Sequence, residues 1–247
     1  MDCSFIIPAH DEEDWIEGTL DAIHASAQEL GLEYEAIVAA DSCTDRTVEL
    51  ARASGAHVVE IEARQIGAAR NAGAAAAEGK TLFFVDADTQ VNAKAVRLGL
   101  EALEAGAAGG GSTMAFDGEI SAAMRFLANA VVSGLRLFRF AGGCFLFCRR
   151  RSFERVGGFD ESLFVTEELA FATQLKRFGR FVVVPGRVLT SARKIRSHSL
   201  SDFFRLFGRT LRRGKGAYRQ REGLELWYGG RRRDPGHAMN AGSSEPR

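Results

Sequence analysis

Cysteine is scarce in this chain: four residues in 247 (Cys3, Cys43, Cys144, Cys148), too few and too scattered for a disulfide scaffold. They read as reduced thiols. Cys144 and Cys148 share an even spacing in an apolar segment; core positions on one strand face are expected, with a metal pair as the alternative. An excess of one charge is missing too. Thirty-two basic residues meet 32 acidic ones, so no overall field favours nucleic acid or an anionic membrane. No uninterrupted apolar run reaches ~18 residues, which excludes a spanning helix. The amino terminus has no charged n-region or apolar h-region, because Asp2 and a strand replace them. Internal repeats are absent. With 46% hydrophobic and 26% charged residues, a cytoplasmic globular protein is expected, as one sizeable α/β domain or two small ones.

What is present alternates. Cys3 to Ile7 is a short apolar strand stopped by Pro8, and the segment from Asp11 starts acidic before apolar positions recur at Trp15, Ile16, Leu20, Ile23 and Leu30. Early carboxylates and Gly31 mark that helix at both ends. Tyr34 to Ala40 is a strand, Asp41 to Asp45 its turn, and Arg46 to Ser54 a helix. His57 to Ile61 is a third strand; Ile66 to Ala77 is an alanine-rich helix closed by Gly79, leading into the strand that ends at Val85. Four strand–helix alternations in under ninety residues call for a parallel sheet with crossover helices.

The second half reads less regularly. Ala93 to Ala105 is a helix, and the glycine-rich Gly106 to Gly111 leads to a strand ending near Phe116. Ile120 to Phe140, interrupted by Arg125, Arg136 and Arg139, is an amphipathic helix, packed on the domain or lying on a membrane surface. Gly142 to Phe147 is a strand, and Gly157 to Glu161 a turn. Thr166 to Phe178 is a helix with Thr166 as N-cap, Glu167 and Glu168 at the positive end of the dipole, and Gly179 past its last turn. Phe181 to Val184 closes the sheet. From Ser199, phenylalanines alternate with arginines in a basic amphipathic helix that could dock on its own domain, cover a site, meet a partner or lie on anionic lipid. From Gly229 there is no periodicity, as in a disordered tail.

The stretch FFVDADT, Phe83 to Thr89, organises the chemistry. A buried strand ends there in Asp86 and Asp88, and ligands of parallel sheets bind outside the carboxyl ends of strands. Two carboxylates so placed suit a hard cation such as Mg²⁺ or Mn²⁺ bridging to a diphosphate; a strand-ending turn with Asp88 or Thr89 as a helix cap is the alternative. PAHDEE (8–13) and DSCTD (41–45) converge on the same acidic rim, and Arg64, Arg70 and Asn71 lie on the segment between the latter and Asp86. Carboxylates with a few arginines suit a metal–diphosphate ligand better than a bare anion.

In order, PAHDEE, AADSCTD, GAARNAG (67–73), DAD (86–88) and the block from Gly142 to Gly179 resemble the motifs of the family 2 glycosyltransferases of the GT-A fold. The resemblance runs from about Ser4 to Arg193, with Asp11, Ala40 and Glu168 where the family usually has asparagine, aspartate and aspartate. It implies a GT-A, Rossmann-like α/β fold with a mostly parallel central sheet flanked by helices, here followed by a C-terminal amphipathic helix. It further implies that Pro8, Ala9 and Glu12 line the base and ribose of a nucleoside-diphosphate sugar, with Asp41 accepting a hydrogen bond from the base. Arg70 falls near the diphosphate, Asp86 near the ribose or sugar, and Asp88 on Mn²⁺ or Mg²⁺. Glu168 falls at the catalytic base, giving a single inverting displacement. Arg193 could steady the diphosphate, and His198 could be a further metal ligand or merely exposed. A Q-x-x-R-W motif is absent, which argues for transfer of a single sugar.

The expected organisation is a catalytic domain over 1–198, with a donor half to about residue 92 and an acceptor half beyond it, then a basic helical extension over 199–228 and a tail over 229–247. A UDP- or GDP-linked sugar is the expected donor. The acceptor is left open; a lipid-linked or hydrophobic one would suit the later helices, with peripheral contact to the inner face of a membrane through 199–221. Two other functions fit less well: a nucleotide-sugar-binding or scaffold protein without turnover, and a nucleotidyltransferase, which would bring a glycine-rich basic loop after the first strand.

Overall fold

A computed structural model of the chain describes residues 1–117, 134, 141 and 143–193. The helix expected over Ile120 to Phe140, His198, the basic helix from Ser199 and the tail from Gly229 lie outside the described residues.

The first half follows the alternation of the sequence. Its elements are β1 (Cys3–Ala9), α1 (Ile16–Glu29), β2 (Tyr34–Asp41), α2 (Thr47–Ala53), β3 (His57–Ile61), α3 (Ile66–Ala76) and β4 (Thr81–Val85). Then come β5 (Thr89–Gln90), α4 (Ala93–Glu104), β6 (Gly109–Phe116), β7 (Phe145–Arg149), α5 (Arg150–Val156), α6 (Glu167–Leu175) and β8 (Phe181–Thr190). The strands form one 8-stranded sheet in the order β3-β2-β1-β4-β7-β6-β8-β5. β1 to β4 pair in parallel, as does β6 with β8, whereas β7 runs antiparallel to both β4 and β6, and β5 to β8. The sheet is therefore mostly parallel, as expected, with an antiparallel strand inserted where its two halves meet.

Period-two alternation on the central strands splits the interior into two cores. Phe5, Ile7, Phe83, Val85, Phe145 and Phe147 face α1 and α4 through Leu20, Ile23 and Val96. Ile6, Phe84, Leu146 and Cys148 face α3 and α6 through Ala74, Phe171 and Leu175. Cys144 and Cys148 are both buried, but in different cores rather than on one face, because Cys144 precedes the strand and escapes its alternation.

Several local expectations are corrected. β1 does not stop at Pro8 but runs to Ala9; its pairing with β4 ends at Ile6, so Pro8 has only β2 beside it and its missing N–H interrupts no second ladder. Thr166 does not cap α6 with its side chain; it sits in the left-handed region at φ 70°. The glycines at 109–111 do not lead to a strand but form its beginning. A Cβ on Gly110 would lie 2.3 Å from the Val182 carbonyl oxygen and 2.5 Å from the Phe147 ring, so only glycine lets β6 fit between its neighbours. Gly110→Ala is accordingly expected to cost about 1–3 kcal/mol of stability, as overpacking does. A lowered urea midpoint with an unchanged slope would show it; an unchanged midpoint would mean the strands have room to spare.

Candidate active site

The carboxyl ends of β1, β2 and β4 carry the acidic segments to one rim, where hydrogen bonds tie them together. Asp11, held at φ 51°, accepts from the Thr44 and Asp45 amides at 2.6 and 3.3 Å. The Glu12 amide donates to Thr47 Oγ1 at 2.6 Å, and the Glu13 amide to Asp45 at 3.1 Å. Pro8 and Ala9 end β1 at this rim, both buried. The DAD turn is pinned from both sides: Thr19 of α1 donates to the Ala87 carbonyl at 2.7 Å, and the Ser191 amide to the Asp88 carbonyl at 3.1 Å.

Asp41 is buried at the end of β2, and its carboxylate is filled by its own chain. The amides of Ala63, Arg64 and Gln65 donate to it at 2.9, 2.7 and 2.7 Å, and the Ser42 hydroxyl at 3.1 Å. This fixes the loop that starts α3, whose N-cap is the Gln65 side chain. Asn71 of the same helix clasps the GGFDE turn, exchanging hydrogen bonds with the Phe159 carbonyl and amide at 3.0 and 2.9 Å.

Arg70 is the central cation. Its side chain is 2% exposed, yet it forms ion pairs with Glu167 (2.7 Å) and Asp86 (3.0 Å). It also donates to the Gly143 carbonyl at 3.3 Å and lies 5.2 Å from the centre of the Phe159 ring. Glu168 stands beside this cluster: a Cβ on Gly143 would sit 3.2 Å from Arg70 Nη2 and 3.6 Å from Glu168 Cδ. Burial first, and then the neighbouring Glu168 carboxylate, push the Glu167 carboxyl up to about 8, against the opposing pull of Arg70. α6 thus sends one carboxylate into the protein to hold the arginine and leaves the next half-buried at the cleft.

Arg193 is the second cation, reaching the rim from beyond β8. It grips Glu12 with two nitrogens at 2.7 and 2.5 Å, and the nitrogen nearer Glu12 Oε1 also lies 3.1 Å from Asp88. Glu12, Asp86, Asp88, Glu167 and Glu168 therefore face two guanidinium groups, and the surplus is negative. Two carboxylates already share one nitrogen, and they are hard oxygen donors. Glu12 and Asp88 fit a divalent cation of the Mn²⁺ or Mg²⁺ class on that ground. The structure brings Pro8, Ala9, Glu12, Asp41, Arg70, Asp86, Asp88, Glu168 and Arg193 to one side of the sheet. The sequence reading missed Glu167 as the partner of Arg70; its double-glutamate spelling was the available signal.

Residues 4–157 match the family model described as Glycosyl transferase family 2. A comparison with curated proteins found no match. Among solved structures, the chain is similar to S. aureus TarS 1–349 in complex with UDP, at 20% identity over 77% of this chain and 60% of that one, with a TM-score of 0.60. It is similar to the mannosyltransferase PcManGT from Pyrobaculum calidifontis in complex with GDP-Man and Mn²⁺, at 20% identity over 84% and 61%, TM-score 0.65. A third is glucosyl-3-phosphoglycerate synthase from Mycobacterium tuberculosis with Mn²⁺, UDP and glucosyl-3-phosphoglycerate, at 23% identity over 87% and 80%, TM-score 0.58. The chain spans about three fifths of the first two, and at these identities the likeness is one of fold. Among the described residues no helix is long and apolar enough to cross a membrane.

Proposed function

From the premise that the chain belongs to glycosyl transferase family 2 and has the GT-A fold, we propose that it moves a single sugar from a UDP- or GDP-linked donor to an acceptor hydroxyl, with inversion. One observation carries the reading: the Arg70 fork joins Asp86 on the donor rim to Glu167, the neighbour of Glu168, so rim and helix start form one site.

In this reading Pro8, Ala9 and Glu12 flank the base and ribose. Asp41 acts there chiefly by shaping the loop at 63–65, since its oxygens are already engaged. Asp86, anchored by Arg70, orients the ribose or sugar. Asp88 would hold the divalent cation, which when bound supplies neutralisation of the charge developing on the departing diphosphate. Arg193, released from Asp88, would turn its guanidinium to a phosphate oxygen. Glu168 would take the proton from the acceptor hydroxyl as that oxygen attacks the anomeric carbon from the face opposite the leaving group. Arg70 serves this step from behind by keeping α6 in register with the rim. The later phenylalanine- and arginine-bearing segments suit a hydrophobic or lipid-linked acceptor, and peripheral membrane contact.

Glu168→Gln tests the assignment. Release of nucleoside diphosphate from UDP- and GDP-sugars is expected to fall by roughly 10²–10⁴-fold, the span of general-base catalysis, while nucleotide binding stays within twofold. Undiminished turnover would remove Glu168 from the chemistry. Absence of turnover in the wild type, with nucleotide still bound, would leave a sugar-nucleotide-binding protein.

A further inference from the structure

A second set of metal-type donors lies at the outer corner of the rim, apart from Asp86 and Asp88. One donor atom each from His10, Asp11 and Cys43 lie within 4.8 Å of one another, all three residues half-buried. We propose that His10, Asp11 and Cys43 form a binding site for a thiophilic divalent cation of the Zn²⁺ class. Imidazole, carboxylate and thiolate are the zinc ligand set, and three protein ligands leave a fourth position for water. Hard Mg²⁺ and Mn²⁺ prefer the all-oxygen rim, so ligand softness separates the two sites.

The imidazole ring is held in place by the backbone. His10 Nδ1 lies 2.7 Å from the Asp41 carbonyl oxygen, a contact that orients the ring and turns Nε2 toward Asp11 and Cys43. Nε2 lies 3.5 Å from Asp11 Oδ2. Asp11 uses Oδ1 on the Thr44 and Asp45 amides, leaving Oδ2 with only the Thr44 hydroxyl, at 3.3 Å. The Cys43 thiol makes a weak hydrogen bond to the Ala9 carbonyl at 3.6 Å, and the Asp11 backbone and Thr47 side chain also reach its sulfur. Burial, opposed by a hydrogen bond from the Asp11 backbone and reinforced by the Asp45 and Asp11 carboxylates, holds that thiol above its ordinary value. On binding, sulfur gives its proton to solvent and its electron pair to the cation.

A tetrahedral site with bonds of ~2.0–2.3 Å needs ligand atoms closer than they stand, an adjustment within reach of side-chain rotation at His10 and Cys43. The Arg64 guanidinium now lies against both nitrogens of the His10 ring and would have to swing aside. Beside Ala9 and Asp41, the cation would obstruct the proposed donor pocket; that inhibitory consequence rests on the donor reading, whereas the binding itself does not.

Titration of the full chain with Co²⁺, in excess Mg²⁺ to fill the carboxylate rim, tests the site by absorption. Cys3, Cys144 and Cys148 are buried, so a sulfur-to-cobalt charge-transfer band reports on Cys43. The band is expected in the wild type and absent in Cys43→Ser. Affinity should fall about tenfold or more in His10→Ala and rise in Arg64→Ala, where the competing cation is gone. Circular dichroism confirms that each variant folds, and Asp11→Asn replaces any that does not. A wild type with no such band, or a band undiminished in Cys43→Ser, would overturn the proposal.

Discussion

Arg70→Met is expected to destabilise the protein by about 3–5 kcal/mol, the cost of leaving a buried charge without its partner, or roughly 6–20 °C in melting temperature for a chain of this size. The guanidinium is 2% exposed and pairs with Glu167, itself 5% exposed, and with Asp86. Methionine fills much of the volume but answers neither carboxylate. The loss should depend on pH in a stated direction. Burial, and then Glu168, already lift Glu167 to about 8. The folded protein therefore holds this proton more tightly than the unfolded chain, whose carboxylates titrate near ~4.3. Its contribution is fully present below that range and is lost as pH climbs through about 8. Removing Arg70 strengthens the effect, so the deficit of the variant should be small near pH 5 and largest above pH 8. Urea midpoints at the two ends decide it. Arg70→Met with Glu167→Leu should recover much of the loss, since a buried ion pair often exchanges for apolar groups without penalty. A deficit that ignores pH would mean that Glu167 is not the group left stranded.

Asp88→Asn is expected to erase metal-dependent nucleotide binding while leaving the fold. At a hundredfold excess over its dissociation constant, UDP or GDP with Mn²⁺ should stabilise the wild type by ~2.7 kcal/mol, and the variant by nearly nothing. Without metal the two proteins should respond alike. The unliganded variant should lose only about 1 kcal/mol, the scale of an ion pair near the surface, because Arg193 keeps both contacts to Glu12. Turnover should fall roughly 100-fold or more if the cation stabilises the departing diphosphate. Equal stabilisation with and without metal, or stabilisation that survives in Asp88→Asn, would take the cation out of the donor site.

Local pattern reaches some of this molecule and distance hides the rest. β3 was legible at both ends, and α3 and α4 to within a residue, because apolar spacing and flanking turn residues are local signals. The acidic rim was legible because strand ends of a parallel sheet share a side. α5 escaped notice: in RRSFERV only Phe153 and Val156 pack on the core, too few apolar positions to show a period. β5 is two residues long and exists only through its pairing with β8, a hundred positions away. β8 reads as ending at Val184, but its pairing with β6 resumes at Val188 after a shift in register. The ion pairs are hidden in the same way. Arg70 and Glu167 are separated by 97 positions, Arg193 and Glu12 by 181, and no periodicity links them. Asp41 shows the converse: its type and place suggest ligand binding, yet its oxygens close a loop.

The staple between β5 and β8 bears on the order in which the nascent chain matures. β1 to β4 pair among themselves, so that parallel half of the sheet can assemble once about the first eighty-five residues have left the ribosome. The acidic turn after β4 is different. Thr89 pairs with Thr190, the Ser191 amide holds the Asp88 carbonyl, and the Arg193 guanidinium reaches the Asp88 carboxylate. Those partners are translated a hundred codons later. An incomplete polypeptide can thus own a folded half in which Asp86 already meets Arg70 while Asp88 still waits for Ser191 and Arg193.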